Sequence, residues 1–110
     1  MRVLVIDDDS VIATLVQMIL TREGFEVIVE ENGEAGVRAA VASRPDVVLV
    51  DSTMPGMSGA DVVDALHASP ATADVPTIVM SADWTAADGG LRKPFDPGEL
   101  VAAVRRRLPD

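Results

Sequence analysis

The hydrophobic positions of this chain fall into short runs that alternate with segments of helical periodicity. Four runs have the length and the β-branched content of strands: "RVLVI", "FEVIVE", "PDVVLVD" and "VPTIVMS". The first and third are apolar at nearly every position, which is typical of parallel strands that helices cover on both faces. These runs predict the core strands of a parallel sheet.

Four segments with helical spacing separate or follow these runs: "SVIATLVQMILTREG", "NGEAGVRAAVASR", "SGADVVDALHAS" and "DPGELVAAVRRRL". Gly24 is expected to end the first helix, while Ser58 and Asp96 are expected to cap the N-termini of the last two. Pro97 then occupies the first position of the final helix, which tolerates proline. In the first helix, a stripe of five apolar residues is expected to face the core: Val11, Ile12, Leu15, Val16 and Ile19.

The alternation of strands and helices predicts an α/β fold with a doubly wound parallel sheet and right-handed crossovers. A fifth, short strand is expected at "LRK", before the final helix. In such sheets, ligands bind in the crevice beyond the carboxyl ends of the strands. The residues that follow the strands are therefore the candidates for function.

Length and composition limit the possible classes of protein. The chain has 110 residues, which we interpret as one domain spanning 1–110, and it contains no cysteine, so a disulfide framework or thiolate metal site is excluded. Its net charge of −9 disfavours direct contact with nucleic acid or an anionic membrane surface. Its apolar runs are too short for a signal peptide or a membrane span, so we expect a soluble, cytoplasmic protein.

Charged and hydroxyl side chains follow the predicted strands. Asp7 and Asp8 follow the first strand, Asp51 ends the third, Ser81 ends the fourth, and Lys93 follows the fifth. Carboxylates held together repel one another by several kcal/mol at about 4 Å separation, and a hard cation such as Mg²⁺ removes this repulsion. A lysine and a hydroxyl beside them suit a phosphoryl group. The pattern predicts phosphoryl transfer to a carboxylate, although each residue alone fits a turn or capping role, as Asp9 does.

The motifs "VLVIDDDS", "PDVVLVDSTMPGMSG", "VPTIVMSA" and "LRKPFDPGEL" resemble the receiver domains of bacterial two-component response regulators along the whole chain. The resemblance implies a (βα)5 fold with a five-stranded sheet in the order 2-1-3-4-5. It also implies the following roles: Asp51 as phosphoacceptor, Asp8 and the Thr53 carbonyl as direct Mg²⁺ ligands together with Asp51, Asp7 as a ligand through water, and Ser81 and Lys93 as partners of the phosphoryl group.

As in the family it resembles, the chain is expected to receive its phosphoryl group from a sensor histidine kinase, a phosphotransfer protein or a small phosphodonor, and to signal to an output partner. The resemblance makes it a phosphoacceptor that catalyses its own phosphorylation and dephosphorylation, and not an enzyme acting on other molecules. Two alternatives stay open. A pseudo-receiver would keep the fold without carrying phosphate, and a small haloacid-dehalogenase-type phosphatase would use Asp7 and Asp9.

The sequence departs from the receiver pattern between Ser81 and Lys93. Gly90 stands where receivers usually carry an aromatic residue, three positions before the lysine. The segment "ADWTAADGG" is also too short for a full helical crossover, so the fourth helix of the family is expected to be missing or reduced to about one turn. A sheet face left uncovered favours association. We therefore expect a possible homodimer through the altered strand 4–strand 5 face, centred on Trp84.

Overall fold

The computed structural model describes residues 1–82 and 90–108. The described residues form one five-stranded parallel sheet with the order β2-β1-β3-β4-β5, as predicted. The strands are β1 (Arg2–Ile6), β2 (Glu26–Glu30), β3 (Val47–Asp51), β4 (Thr77–Ser81) and β5 (Leu91–Arg92). The expected doubly wound α/β fold is confirmed.

Four helices accompany this sheet: α1 (Ser10–Arg22), α2 (Gly33–Ser43), α3 (Gly59–Ala68) and α4 (Pro97–Arg107). The predicted N-caps are confirmed, because Ser58 and Asp96 each form a capping box with the residue three positions later. Gly24 has a φ of +92° just after α1, which glycine adopts without strain. No helix in the described ranges is long and apolar enough to cross a membrane.

Alternating residues of the strands face two separate hydrophobic clusters. On one side, Val3 and Val5 of β1 pack in the cluster that also contains buried residues of α1 and α4. On the other side, Leu4 and Ile6 pack in the cluster that contains Ala40 of α2 and buried residues of α3. The central strands are therefore covered on both faces, which explains their continuous apolar sequences.

The core face of α1 differs from the predicted stripe. Val16 is fully buried, and Ile12 and Ile19 pack partly against the core, but Val11 is 75% exposed and Leu15 is 47% exposed. The sheet contact follows Ala13, Val16 and Leu20 instead. The apolar surface of α1 is thus wider than the area that the sheet covers, so the prediction for Val11 and Leu15 was wrong.

The connection between β4 and β5 is short. Nine residues separate Ser81 from Leu91, which is less than a crossover with a full helix requires. The expectation of a residual turn near "WTAAD", and the packing and association predicted for Trp84, concern residues 83–89 and lie outside the described residues. Gly90 is exposed and directly precedes β5.

The orientation of α1 predicts that truncating two of its valines changes the free energy of unfolding by very different amounts. Val16→Ala should lower the free energy of unfolding by about 2–3 kcal/mol, because it empties a fully buried position. Val11→Ala should change it by less than about 0.5 kcal/mol, because this side chain is mostly in water and alanine favours the helix. Urea unfolding of both variants checks the orientation, and equal losses would contradict it.

Candidate functional site

The predicted site residues lie at one edge of the sheet. Asp7 directly follows β1, Asp51 and Ser81 are the last residues of β3 and β4, and Lys93 directly follows β5. These four strands are neighbours and run parallel, so their carboxyl ends meet at this edge. The site composed of Asp7, Asp8, Asp51, Ser81 and Lys93 is called the Asp51 site below.

Three carboxylates cluster at the centre of this edge. One carboxylate oxygen each from Asp7, Asp8 and Asp51 lies within 4.8 Å of the other two. Asp7 and Asp51 are buried, whereas Asp8 is exposed. The grouping agrees with the spacing expected from the sequence, and oxygen donors of this kind suit a hard divalent cation.

Lys93 connects two of these carboxylates. Its ammonium nitrogen Nζ lies 3.1 Å from Oδ2 of Asp7 and 3.0 Å from Oδ1 of Asp51, and it donates a hydrogen bond to each. The side chains of Asp7 and Asp51 are 0% and 12% exposed, so both ion pairs are largely shielded from water. Among the described residues, one ammonium thus faces three carboxylates, so their negative charge is only partly compensated.

This environment shifts two pKa values. Burial raises the pKa of Asp7, and the hydrogen bonds from the Asp9 backbone N–H and from Lys93 offset only part of that shift. Burial by itself lowers the pKa of the Lys93 ammonium, but the hydrogen bonds and charges of Asp51 and Asp7 outweigh it and raise that pKa above its ordinary value. Lys93 therefore stays charged at neutral pH.

Asp9 holds the turn between β1 and α1. Its backbone N–H donates to Oδ1 of Asp7 at 2.9 Å, and its own carboxylate accepts hydrogen bonds from the N–H groups of Val11 and Ile12 at 3.0 and 3.3 Å. Asp9 is the N-cap of α1, so its expected structural role is confirmed. Both oxygens of Asp7 consequently accept hydrogen bonds, one from Asp9 and one from Lys93.

The remaining predicted residues occupy different surroundings. Ser81 is 3% exposed, and its carbonyl oxygen accepts a hydrogen bond from the backbone N–H of Lys93 at 2.7 Å. This bond fixes the residue that carries the ammonium. Thr53 lies two residues beyond β3 and its side chain is exposed. The assignment of its carbonyl as a metal ligand stays a prediction.

An exposed apolar stripe on α1 begins beside the Asp51 site. Val11, Leu15 and Met18 lie at positions i, i+4 and i+7, and they are 75%, 47% and 57% exposed. We call these three residues the α1 outer stripe. The helical spacing of its members was visible in the sequence, but the pattern alone did not separate them from the core face.

Comparison with known proteins gives two groups of relatives. MtrA, a DNA-binding response regulator of Mycobacterium tuberculosis, is 39% identical over 97% of this chain and 50% of its own length. The transcriptional regulatory protein PrrA of the same species is 41% identical over 97% of the chain and 49% of its own length. The chain thus spans about half the length of these curated relatives.

The alignment with MtrA covers 117 positions, whereas 97% of a 110-residue chain is about 107 residues, so about ten aligned positions have no residue in this chain.

Solved structures show the same fold. The chemotaxis response regulator CheY4 of Vibrio cholerae superposes with a TM-score of 0.91 at 28% identity, over 97% of this chain and 98% of that one. The receiver domain of the sensor histidine kinase PA1611 of Pseudomonas aeruginosa gives a TM-score of 0.88 at 26% identity, over 96% of this chain and 94% of that one. That structure has a magnesium ion coordinated in its active site cleft.

A family model, the response regulator receiver domain, matches residues 3–105, which is nearly the whole chain. Together with relatives at about 40% identity and the sheet order 2-1-3-4-5, this match decides against the haloacid-dehalogenase reading. The chain belongs to the family of response regulator receiver domains.

Proposed function

We propose that Asp51 is the residue of this receiver domain that accepts the phosphoryl group. The observation that carries the proposal is the position of Lys93 Nζ, 3.0 Å from Asp51 Oδ1 at the open edge of the sheet. A fixed ammonium there can stabilise the negative charge of an incoming phosphoryl group. Ser81, at the end of the neighbouring strand, is proposed to donate a hydrogen bond to a phosphoryl oxygen.

The donor set of the Asp51 site fits Mg²⁺. Three carboxylate oxygens within 4.8 Å of one another, with a single ammonium beside them, leave uncompensated negative charge that a divalent cation neutralises. We propose that Asp8, Asp51 and the carbonyl of Thr53 would hold the ion directly. Asp7 would act through water, as the resemblance to receiver domains implies. When bound, the ion supplies Lewis-acid stabilisation of the phosphoryl oxygens.

We propose a transfer step in which Asp51 is the nucleophile. A carboxylate oxygen of Asp51 attacks the phosphorus of a phosphohistidine, a P–O bond forms, and the P–N bond breaks with its electron pair moving to the imidazole, which takes a proton from water. Lys93 keeps its proton throughout and offsets charge on the phosphoryl oxygens. Attack by water on the aspartyl phosphate later regenerates the carboxylate and releases inorganic phosphate, a reaction that we propose the same residues promote.

We further propose that the partner presenting the phosphohistidine contacts the α1 outer stripe. Receiver domains are phosphorylated by histidine kinases, and the stripe begins two residues after Asp9, the N-cap of α1 that follows Asp7 and Asp8. Val11, Leu15 and Met18 present apolar surface that the fold of this chain leaves uncovered. An apolar face on a partner helix would complement it while a histidine reaches Asp51.

The other partner predictions remain proposals. The short connection after β4 favours a homodimer through the strand 4–strand 5 face, and sedimentation at several concentrations tests it. The relatives MtrA and PrrA are named as DNA-binding or transcriptional regulators, and this chain matches about half of each. With a net charge of −9, the present chain is proposed to signal through a protein partner instead of contacting DNA itself.

Asp51→Asn should abolish phosphorylation while preserving the fold. Intact mass after incubation with acetyl phosphate and Mg²⁺ should show one phosphoryl adduct on the wild type and none on the variant. The free energy of unfolding without metal should stay equal or rise by up to about 1 kcal/mol, because one of three crowded carboxylates is removed.

Asp64→Asn, an exposed change on α3, is the matched control and should be modified like the wild type. An adduct that persists on Asp51→Asn would contradict the assignment, and no adduct on the wild type would favour the pseudo-receiver.

The raised pKa of Asp7 predicts how the stability of the metal-free protein depends on pH. Between the ordinary aspartate value of about 4 and the raised pKa, the folded state binds more protons than the unfolded state, so the free energy of unfolding contributed by Asp7 falls as the pH rises. Asp7→Asn removes this titration. Its stability relative to the wild type should therefore increase from about pH 4 towards neutral pH in urea unfolding with a chelator present. A difference that is constant with pH would show that Asp7 does not titrate in this range.

Leu15→Asp should affect phosphorylation by a histidine kinase and phosphorylation by acetyl phosphate differently. The transfer is measured from an autophosphorylated histidine kinase that modifies the wild type. A charge on the α1 outer stripe should slow this transfer by about tenfold or more, because the contact loses apolar area. Phosphorylation by acetyl phosphate should remain within about twofold, because the Asp51 site is unchanged. Val41→Asp is the control, since Val41 on α2 is similarly exposed at 42%. Equal slowing with both donors would contradict a docking role for the stripe.

A further inference from the structure

The first residue of α3 lies directly against the backbone of the phosphoacceptor strand. A Cβ atom added to Gly59 would stand 2.5 Å from the carbonyl oxygen of Asp51 and 2.9 Å from Cα of Ser52. Ordinary van der Waals contact for such an atom begins near 3.4 Å. Both neighbours are main-chain atoms, so no side-chain rotation can make room for it.

Hydrogen bonds hold the same stretch of backbone from two sides. The N–H of Gly59 donates to the carbonyl oxygen of Ser52 at 3.1 Å, and the N–H of Ser52 donates to the carbonyl oxygen of Met80 at 2.8 Å. Ser52 is thereby fixed between β4 and the N-terminus of α3. This residue connects Asp51 to Thr53, so its position sets where both of them lie.

The contact of Gly59 differs from those of two other buried glycines. Gly33 is also the first residue of a helix, but an added Cβ there would meet side-chain atoms of Met57, with Sδ at 2.8 Å and Cβ and Cγ at 2.9 Å. At Gly36, an added Cβ would meet the side chain of Ile6. Neither contact involves the main chain of the Asp51 site. Gly33 and Gly59 thus form a matched pair in helix position and burial, and they differ in what they touch.

We infer that Gly59 is a positioning residue for phosphoryl transfer: its missing side chain lets α3 rest on the Asp51–Ser52 backbone, and this contact holds the Asp51 carboxylate and the Thr53 carbonyl in register with Asp8 and Lys93. The inference rests on the proposed function of Asp51. Alanine is a better helix former than glycine, and Gly59 has no left-handed φ, so the effect of a substitution comes from the lack of space.

The experiment compares Gly59→Ala with Gly33→Ala and with Ser58→Ala, which removes the cap of α3 without adding an atom near Asp51. Calorimetric titration with Mg²⁺ and intact-mass kinetics with acetyl phosphate are measured for each folded variant. Gly59→Ala should weaken Mg²⁺ affinity and slow phosphorylation by about tenfold or more, because sub-ångström displacement of a preorganised group is costly. The two controls should stay within about twofold of the wild type in both measurements.

A second measurement covers the case in which Gly59→Ala does not fold unaided. Ligand binding to the native state stabilises it in proportion to the logarithm of ligand concentration over the dissociation constant. Urea midpoints are therefore recorded across a Mg²⁺ series, and the Gly59→Ala midpoint should rise less than those of the controls. The inference is overturned if Gly59→Ala has the Mg²⁺ affinity and the phosphorylation rate of the wild type. It is also overturned if Mg²⁺ stabilises the folded state of Gly59→Ala as much as that of the wild type at the same Mg²⁺ concentrations. No modification of the wild type would instead defeat the proposed function, and the inference with it.

Discussion

The electrostatic balance at the carboxyl edge of the sheet is the constraint on which this site depends. Among the residues that the structure describes, three carboxylates meet there, and the ammonium of Lys93 lies within hydrogen-bond distance of Asp7 and Asp51. The attraction is strong because the side chains are largely shielded from water, yet it leaves net negative charge at the mouth of the site. The proposed Mg²⁺ ion would offset this charge, and the proposed phosphoryl transfer depends on the same balance.

Most of the fold and the identity of the charged residues could be predicted from the sequence. Parallel strands buried on both faces have unmistakable apolar sequences, and the residues after Ile6, Val50 and Met80 must then meet at one edge. Caps such as Ser58 and Asp96 act locally, so their signals are also local. The strands, helices and caps required only chain periodicity and the geometry of parallel sheets, whereas the strand order came from the resemblance to receiver domains.

Other features depend on how one element rests on another, and periodicity does not encode that. Val11 and Leu15 were expected on one stripe with Val16, but only Val16 is buried, whereas Val11 and Leu15 are exposed. In the sequence, Gly59 is an ordinary residue after an N-cap. Only the short distance from its added Cβ to the Asp51 carbonyl oxygen distinguishes it from Gly33. The physical origin of both differences is packing between elements that are distant in sequence or separated by a turn.

The separation of Asp7 and Lys93 along the chain has a consequence for biosynthesis. Their ion pair joins positions that are 86 residues apart, and Lys93 directly follows β5, a strand of two paired residues. A nascent chain that has emerged only as far as β4 carries Asp7, Asp8 and Asp51 but not the lysine that pairs with two of them. The ion pairs of Lys93 with Asp7 and Asp51 therefore cannot form before β5 has been synthesised, and the charged edge of the sheet is completed only when the C-terminal part of the chain joins it.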